Sequence, residues 1–249
     1  MKMLKEFFLA IVVIIVTVAL TMYMYRNNAG KSSRELTKRI AELSPRGGPP
    51  ETIEGLRQAI ALYEDQIERN VREGAQTGVY WKILSIRLAD KNMHYEALAA
   101  LERAIYYNTE DTILYYLTGV SAANVAKSIV GFSAGDEKER ERYFKLSENS
   151  YLHALEIDVT YAKAMYGLSI LYVYELDRPQ DAIPYLERYL TIQSSDISAM
   201  FVLASAYYLT ENFSKAIEQY DKIISRTKDK KIKEQAQINR DVIQGMIYG

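Results

Sequence analysis

Two histidines and 32 acidic side chains are the groups in this 249-residue chain that could act as general acids, general bases or metal ligands. Catalysis or metal binding needs several such groups to converge on one point. His94 and His153 lie in separate segments, so we interpret both as surface or packed side chains, and the carboxylates are spread along polar faces. We therefore predict no metal site, no cofactor and no enzymatic activity.

Phosphate and thiol chemistry are disfavoured as well. Gly30, Lys31 and Ser32 copy the end of a phosphate-binding loop, but the first glycine of that motif would fall at Tyr25. The chain has no cysteine, which excludes disulfides, thiolate nucleophiles and cysteine-ligated metals. The sequence is therefore more informative about its structural elements than about a reaction.

The charge is distributed unevenly along the chain. Residues 1–50 hold eight basic and three acidic side chains, which leaves 23 of the 31 basic and 29 of the 32 acidic side chains for residues 51–249. This longer part is mildly acidic, whereas a nucleic-acid-binding surface needs clustered Lys and Arg. We expect no nucleic-acid partner.

Residues 7–25 form an uncharged run of 19 residues, FFLAIVVIIVTVALTMYMY. As a helix this run is about 28 Å long, which is enough to cross a bilayer. A cleaved signal peptide is the alternative, but the run is longer than a usual signal core and no small-x-small cleavage site ends it. We predict one uncleaved transmembrane anchor, with residues 1–25 as cytoplasmic tip and membrane helix.

Two signals disagree about the side of the membrane that holds the main domain. Five basic residues follow the apolar run within 14 positions and only Lys2 and Lys5 precede it, which by charge counting keeps the domain in the cytoplasm. A short basic tail followed directly by an apolar run is instead the layout of an export signal. We favour the extracytoplasmic, periplasmic side and leave the cytoplasmic side open.

Residues 26–50 form a basic juxtamembrane segment and a linker. Leu36, Ile40 and Leu43 recur at helical spacing after a capping-box pattern, which predicts a short amphipathic helix. The run of Pro and Gly at 45–50 then marks a domain boundary. The helix carries three basic residues that rest on anionic head groups or, alternatively, face solvent on a stalk: Arg34, Lys38 and Arg39.

Residues 51–249 are nearly free of helix breakers and predict helices throughout. The first of these, 51–73, is expected to be an amphipathic helix that ends before Gly74. Its apolar stripe consists of Ile53, Leu56, Ile60, Tyr63, Ile67 and Val71.

Three later segments share one pattern, in which four residues of one helix are followed by three of a second helix. The copies are Trp81, Leu84, Ser85 and Leu88 with Ala97, Leu101 and Ala104; Met165, Leu168, Ser169 and Tyr172 with Ala182, Leu186 and Tyr189; and Met200, Leu203, Ala204 and Tyr207 with Ala216, Tyr220 and Ile223. A fourth copy starts at Tyr115, 34 residues after Trp81, but the next copy follows only after 50 residues. The surplus at 128–142 is either an extension of both helices or a projecting loop.

This pattern resembles that of the tetratricopeptide-repeat (TPR) family. The resemblance implies an all-α solenoid of helical hairpins, in which small residues let helices approach and large residues fill the space between layers. The repeats would occupy 79–111, 112–161, 162–196 and 197–230, and a capping helix 231–248 would close the domain at 51–249.

The resemblance also implies a concave surface lined by the first helix of each pair. Family members that clamp a terminal carboxylate carry Lys and Asn there; Lys82 matches, but apolar residues replace the Asn, so we do not expect this mode. A partner protein, the helix 51–73 or a second copy of the chain would fill this aromatic groove. The matching positions are Ile86, Tyr116, Val120, Tyr166, Ile170, Tyr174, Phe201 and Tyr208.

These features together imply a non-catalytic, membrane-anchored scaffold or adaptor that binds a protein partner or itself within a bacterial envelope-associated assembly. The alternative is an accessory protein that binds a small apolar ligand or a lipid in the groove.

Overall fold

The computed structural model of the chain describes residues 34–43, 49–131 and 133–248. Within these ranges it contains ten α-helices and no strand, which confirms the all-α prediction. The described residues separate into two compact units, one up to Gly74 and one from Ala75. The predicted anchor at 7–25 lies outside the described residues, and none of the described helices is both long enough and apolar enough to span a bilayer.

The first unit contains α1, residues 34–43, and the first half of α2, which runs from Ile53 to Ala89. On α1, Leu36, Ile40 and Leu43 are half-buried and the three predicted basic residues are exposed, so the short amphipathic helix is confirmed. Leu36 lines a cleft together with Leu62 of α2. One apolar face of α1 and one face of α2 therefore pack against each other in this unit.

Helix α2 differs from its prediction. The expected end before Gly74 is wrong, because α2 continues for 37 residues through Gly74 and Gly78 to Ala89. A glycine inside a helix costs about 1 kcal/mol relative to Ala, and Glu73, Ala75 and Gln76 around Gly74 are good helix formers that offset this cost. Gly78 also has a packing role, since a Cβ atom there would lie 2.8 Å from Cβ of Tyr107. Residues 79–89 of α2 therefore serve as the first helix of the first repeat.

The second unit continues with helices joined by short turns. Successive helices pack against each other, and α6 also packs against both α4 and α8, which places these first helices of the pairs side by side. The helices are α3 (His94–Tyr107), α4 (Thr112–Ser128), α5 (Ala134–Ile157), α6 (Ala162–Tyr174), α7 (Pro179–Ile192), α8 (Ile197–Leu209), α9 (Phe213–Arg226) and α10 (Lys230–Tyr248).

The turns inside three of the pairs have the same geometry. A residue with positive φ follows α2, α6 and α8, namely Asn92, Asp177 and Glu211 with φ of 60°, 50° and 59°. The next amide N–H then donates to a carbonyl near the end of the preceding helix. The left-handed residue thereby terminates each helix and satisfies its last carbonyl groups.

The surplus at 128–142 lengthens the helices of its pair rather than forming a long loop. Helix α5 has 24 residues and α4 has 17, and residues 129–133 connect them. Ser133 caps α5 in a capping box with Asp136. Ser147 Oγ donates to the Gly119 carbonyl oxygen at 2.8 Å, which ties the long helix to α4.

A continuous buried core extends from α4 to α10 and consists largely of Ala, Leu, Met and Tyr at the predicted repeat positions. The first repeat departs from the prediction. Trp81 is only half-buried, and Leu84 is 43% exposed. Residues 75–80 belong to the same helix as Trp81 and Leu84.

Candidate functional site

The site begins with a close approach of three helices around one aromatic ring. Tyr151 of α5 is buried, and a Cβ atom on Gly119 of α4 would lie 2.6 Å from its Cε1 atom. A Cβ atom on Gly167 of α6 would lie 2.9 Å from Cζ of the same ring. Glycine at both positions therefore makes room for Tyr151 between α4 and α6, and its ring forms the floor of a groove.

This groove has a volume of about 340 Å³. Its lining is mostly apolar or aromatic: Tyr116, Val120, Ala123, Tyr151, Tyr166, Gly167, Ile170, Leu171 and Tyr189. Four of the eight residues expected on a concave surface, Tyr116, Val120, Tyr166 and Ile170, thus come together here. Their role in binding remains a prediction.

The tyrosines of the groove hold one another in place. The rings of Tyr166 and Tyr189 stack with centroids 5.2 Å apart, and Tyr116 packs edge-on against Tyr161 at 5.7 Å. Tyr189 Oη donates to Oδ2 of Asp196 at 2.6 Å. Such ring pairs contribute about 0.5–1.5 kcal/mol each beyond the area they bury. The groove wall is therefore pre-organised.

These phenols are uncharged at neutral pH. Burial raises the pKa of Tyr151 and Tyr116. Burial and the neighbouring Asp196 carboxylate raise the pKa of Tyr166 and Tyr189. Each remains a neutral hydroxyl; Tyr189, whose proton is donated to Asp196, can still accept a hydrogen bond at the groove.

Polar groups surround this aromatic floor. Lys127, Lys163, Asn124 and Glu175 also line the groove, and both lysines are exposed. The Asn124 side-chain amide donates to the Val120 carbonyl oxygen at 2.9 Å, which leaves its Oδ1 as an acceptor. The site thus offers an apolar floor with charged groups of both signs at its edge.

The other four predicted groove residues lie elsewhere. Ile86 is on α2 in the first repeat. Phe201 is half-buried with its ring 6.0 Å from that of Tyr220, and Tyr208 packs 5.9 Å from Phe213. Tyr174 is exposed at the end of α6. None of these four lines the groove at Tyr151.

Lys82 forms an ion pair with Asp111 within the fold. Its Nζ lies 2.7 Å from Oδ2 of Asp111, and the two side chains are only 23% and 18% exposed. Asp111 also caps α4, because its Oδ1 accepts from the Ile113 N–H at 3.0 Å. Lys82 is thus engaged in an ion pair within the fold.

Sequence reasoning missed several residues of the groove. Tyr151 and Tyr189 lie on second helices, whose residues the repeat register places between layers, and the register gives no sign that their rings reach the groove. Asn124, Lys127 and Lys163 occupy polar positions next to the predicted stripe. Their spacing from Val120 and Tyr166 on the same helices is the signal that could have revealed them.

The histidines and the predicted membrane-proximal residues lie away from this groove. Within the described residues, no three His, Asp or Glu side chains are placed to hold a metal ion. His153 Nδ1 lies 2.8 Å from Glu156 Oε2 and its ring contacts Tyr115. On α1, Arg39 forms an exposed ion pair with Glu35 at 2.9 Å. Arg34, Lys38 and Arg39 are all exposed. The contact of these three residues with lipid head groups remains a prediction.

No known family model matches the chain. A TPR repeat-containing protein of Borreliella burgdorferi is 22% identical over 218 residues, which cover 87% of this chain and 93% of that protein. Among solved structures, MamA from residue 41 to its end, of Desulfovibrio magneticus RS-1, has 17% identity and a TM-score of 0.55 over 68% of this chain and 88% of its own.

YrrB, a TPR protein with an unusual peptide-binding site, has 18% identity and a TM-score of 0.56 over 72% of this chain and 82% of its own. TTC0263, a thermophilic TPR protein of Thermus thermophilus, has a TM-score of 0.52 at 14% identity, over 75% of this chain and 89% of its own. The chain has the TPR fold. This confirms the resemblance read from the repeats, and the groove at Tyr151 belongs to the first-helix face of the TPR stack.

Proposed function

We propose that this TPR protein is a non-catalytic scaffold that holds a segment of a partner protein in the groove between α4 and α6. We further propose that residues 7–25 anchor it in a membrane, with the TPR domain on the extracytoplasmic side of a bacterial envelope. The observation that carries the proposal is the pre-organised aromatic groove at Tyr151, with polar groups at its edge.

The chemistry of the groove suits a polypeptide. Aromatic side chains dominate binding energy once a partner removes them from water, and their order before binding lowers the entropic cost. Neutral tyrosine hydroxyls and the amide of Asn124 match backbone donors and acceptors, and Lys127, Lys163 and Glu175 match charged side chains. YrrB, which has the same fold, has an unusual peptide-binding site.

The anchor is supported by the length and composition of residues 7–25 alone. Attachment to a membrane would confine the TPR domain to a thin layer, which raises its effective concentration for a partner in the same envelope. The export-like layout of the first 25 residues supports the extracytoplasmic side.

Site-specific photocrosslinking tests the proposal. The photoreactive residue p-benzoylphenylalanine replaces Tyr166 in the groove or, as a matched control, Tyr106 on α3, which is 74% exposed. We expect one discrete crosslinked protein from position 166 and none from position 106. A small ligand bound stoichiometrically in native mass spectrometry, with no crosslinked protein at position 166, would contradict the proposal and support the apolar-ligand alternative.

A further inference from the structure

The first half of α2 carries an apolar stripe that the described residues leave uncovered. Its six residues are 41–74% exposed: Ile53, Leu56, Ile60, Tyr63, Ile67 and Val71. The part of α2 that faces α1 is different, since Ala59 is buried and Leu62 lines the cleft with α1. The exposed stripe is thus a second apolar face, distinct from the one that packs this unit.

The spacing of the stripe is that of a coiled-coil seam. From Ile53 to Asn70 the steps alternate between three and four residues, through Leu56, Ile60, Tyr63 and Ile67. Isoleucine occupies the first core position of all three heptads, and the second core position is held by Leu56, Tyr63 and Asn70. In parallel coiled coils, Ile at the first core position favours two strands when Leu, as at position 56, occupies the second.

We propose that this stripe pairs with the same stripe of a second copy of the chain, in a parallel two-stranded coiled coil from Ile53 to Asn70. The paired segment is about 26 Å long. The pairing uses no residue of the groove at Tyr151, so it is independent of partner binding there. Both its parallel direction and its strength draw on the proposed anchor, because two chains inserted in one membrane start from the same plane and at a high effective concentration.

The charges beside the stripe are compatible with this pairing. In a parallel register, the flanking positions beside the seam are Thr52 with Arg57, Ala59 with Glu64 and Gln66 with Val71 of the second copy, and Ala59 and Gln66 lie on the side that α1 covers. None of these pairs brings like charges together. The coiled coil is therefore free of electrostatic repulsion at its flanks.

The same charges disfavour a lipid surface as the occupant. Helices that lie on anionic membranes carry Lys and Arg on their polar face. Residues 53–73 have three Arg and five Asp or Glu side chains, which gives a net charge of −2. A second protein chain suits this segment better than an anionic bilayer does.

The size of the seam explains why membrane anchoring matters to it. Burying one large apolar side chain removes roughly 60 to 120 Å² from water. Ten such side chains from two copies therefore remove about 600 to 1,200 Å², which is the low end for a specific interface. Two chains confined to one membrane have the effective concentration that such a short seam needs.

Cysteine crosslinking of the full-length protein in membrane vesicles tests the pairing, because the natural chain has no cysteine. Ile60→Cys and Ile67→Cys are made separately and oxidised with copper phenanthroline. We expect each to form a disulfide-linked dimer as the main product. Gln58→Cys is the matched control on the outer face of the same helix and should give at least ten-fold less dimer.

A second variant shows whether the dimer depends on the stripe. Tyr63→Glu with Ile67→Glu, added to Ile60→Cys, should lower the dimer yield at least ten-fold and leave the helical circular dichroism unchanged, since both side chains are exposed. Equal yields at positions 58 and 60, or no dimer at 60 and 67, would overturn the proposal. Dimers formed only when Ile53→Cys and Asn70→Cys chains are mixed would overturn the parallel direction.

Discussion

The ring of Tyr151 on α5 lies against the backbone of Gly119 on α4, at a distance that leaves no room for a methyl group on the glycine. A Cβ atom there would lie 2.6 to 2.9 Å from three ring atoms. Tyr151 is buried and is also confined by Gly167 from α6, so its ring has no space to move away. One contact therefore sets both the packing of three helices and the floor of the groove.

Gly119→Ala should lower the free energy of unfolding by about 1–3 kcal/mol, because the added methyl group overpacks the ring of Tyr151. Gly245→Ala is the matched control: it is also inside a helix, but nothing lies within 4 Å of a Cβ atom built there. Ala at this control position should raise stability by about 0.5–1 kcal/mol. Chemical denaturation followed by circular dichroism measures both; a shift of the same sign in both variants would contradict the packing described.

The two roles of Asp111 can be separated by two substitutions. Asp111→Asn keeps an oxygen that caps α4 but removes the charge that pairs with Lys82, and we expect a loss of about 1–2 kcal/mol of stability because Lys82 is mostly buried. Asp111→Ala removes the cap as well and should cost about 1 kcal/mol more. Equal unfolding midpoints for the two variants would show that the cap contributes nothing.

The repeat register could be predicted from the sequence because a TPR hairpin places small and large residues at fixed positions. Ala97, Ala182 and Ala216 are fully buried where the pattern requires close approach, and Leu101 and Tyr220 fill the layers between. The half-buried Trp81 shows the limit of this reasoning. A repeat position is buried only when a neighbouring hairpin covers it, and local sequence does not contain that information.

The groove was only partly predictable for a related reason. Tyr116 and Tyr166 follow from the exposed positions of first helices. Tyr151 reaches the same groove from a second helix only because Gly119 and Gly167 open a gap above it. That gap depends on the distance between α4 and α6, which no spacing along one helix reports.

Alkaline pH should destabilise the stack. Burial and a hydrogen bond to Glu187 raise the pKa of Tyr207 above the ordinary value of 10.0. The folded state therefore holds the phenol proton more tightly than the unfolded state does. The stability that the protonated Tyr207 contributes is fully present below pH 10.0 and is lost as the pH rises above this value.

Unfolding midpoints at neutral pH and at about pH 11 check this expectation, with phenolate absorbance recorded in parallel. Tyr207→Phe cannot ionise and should show a smaller alkaline loss, although it is less stable at neutral pH by about 0.5–1.5 kcal/mol without the hydrogen bond. If all 21 tyrosines titrate near pH 10.0 while the helical signal is unchanged, the burial described here is wrong.

Removal of residues 1–25 should release the protein from membranes, because the long apolar run ends at Tyr25. The truncated protein is fractionated at low and at high salt, since the exposed Arg34 and Lys38 could retain it electrostatically at low salt. Retention in the membrane fraction at high salt would contradict the anchor. A reporter fused after Gly249 of the full chain tests the side of the membrane, and we expect an extracytoplasmic signal.

Tyr166→Ala should weaken partner binding in addition to weakening the fold. The half-buried Tyr166 ring stacks on Tyr189 in the groove wall, so the fold loses the area that this ring buries and one aromatic pair, worth about 0.5–1.5 kcal/mol beyond that area. A partner whose binding removes this ring from water would lose about 2 kcal/mol or more of binding free energy, roughly a 30-fold decrease in affinity.

Tyr106→Ala is the matched control, because it also removes one aromatic pair, with Tyr107, but lies outside the groove. Binding of the crosslinked partner and unfolding midpoints are measured for both. Equal losses of affinity in the two variants would place the binding surface away from the groove between α4 and α6.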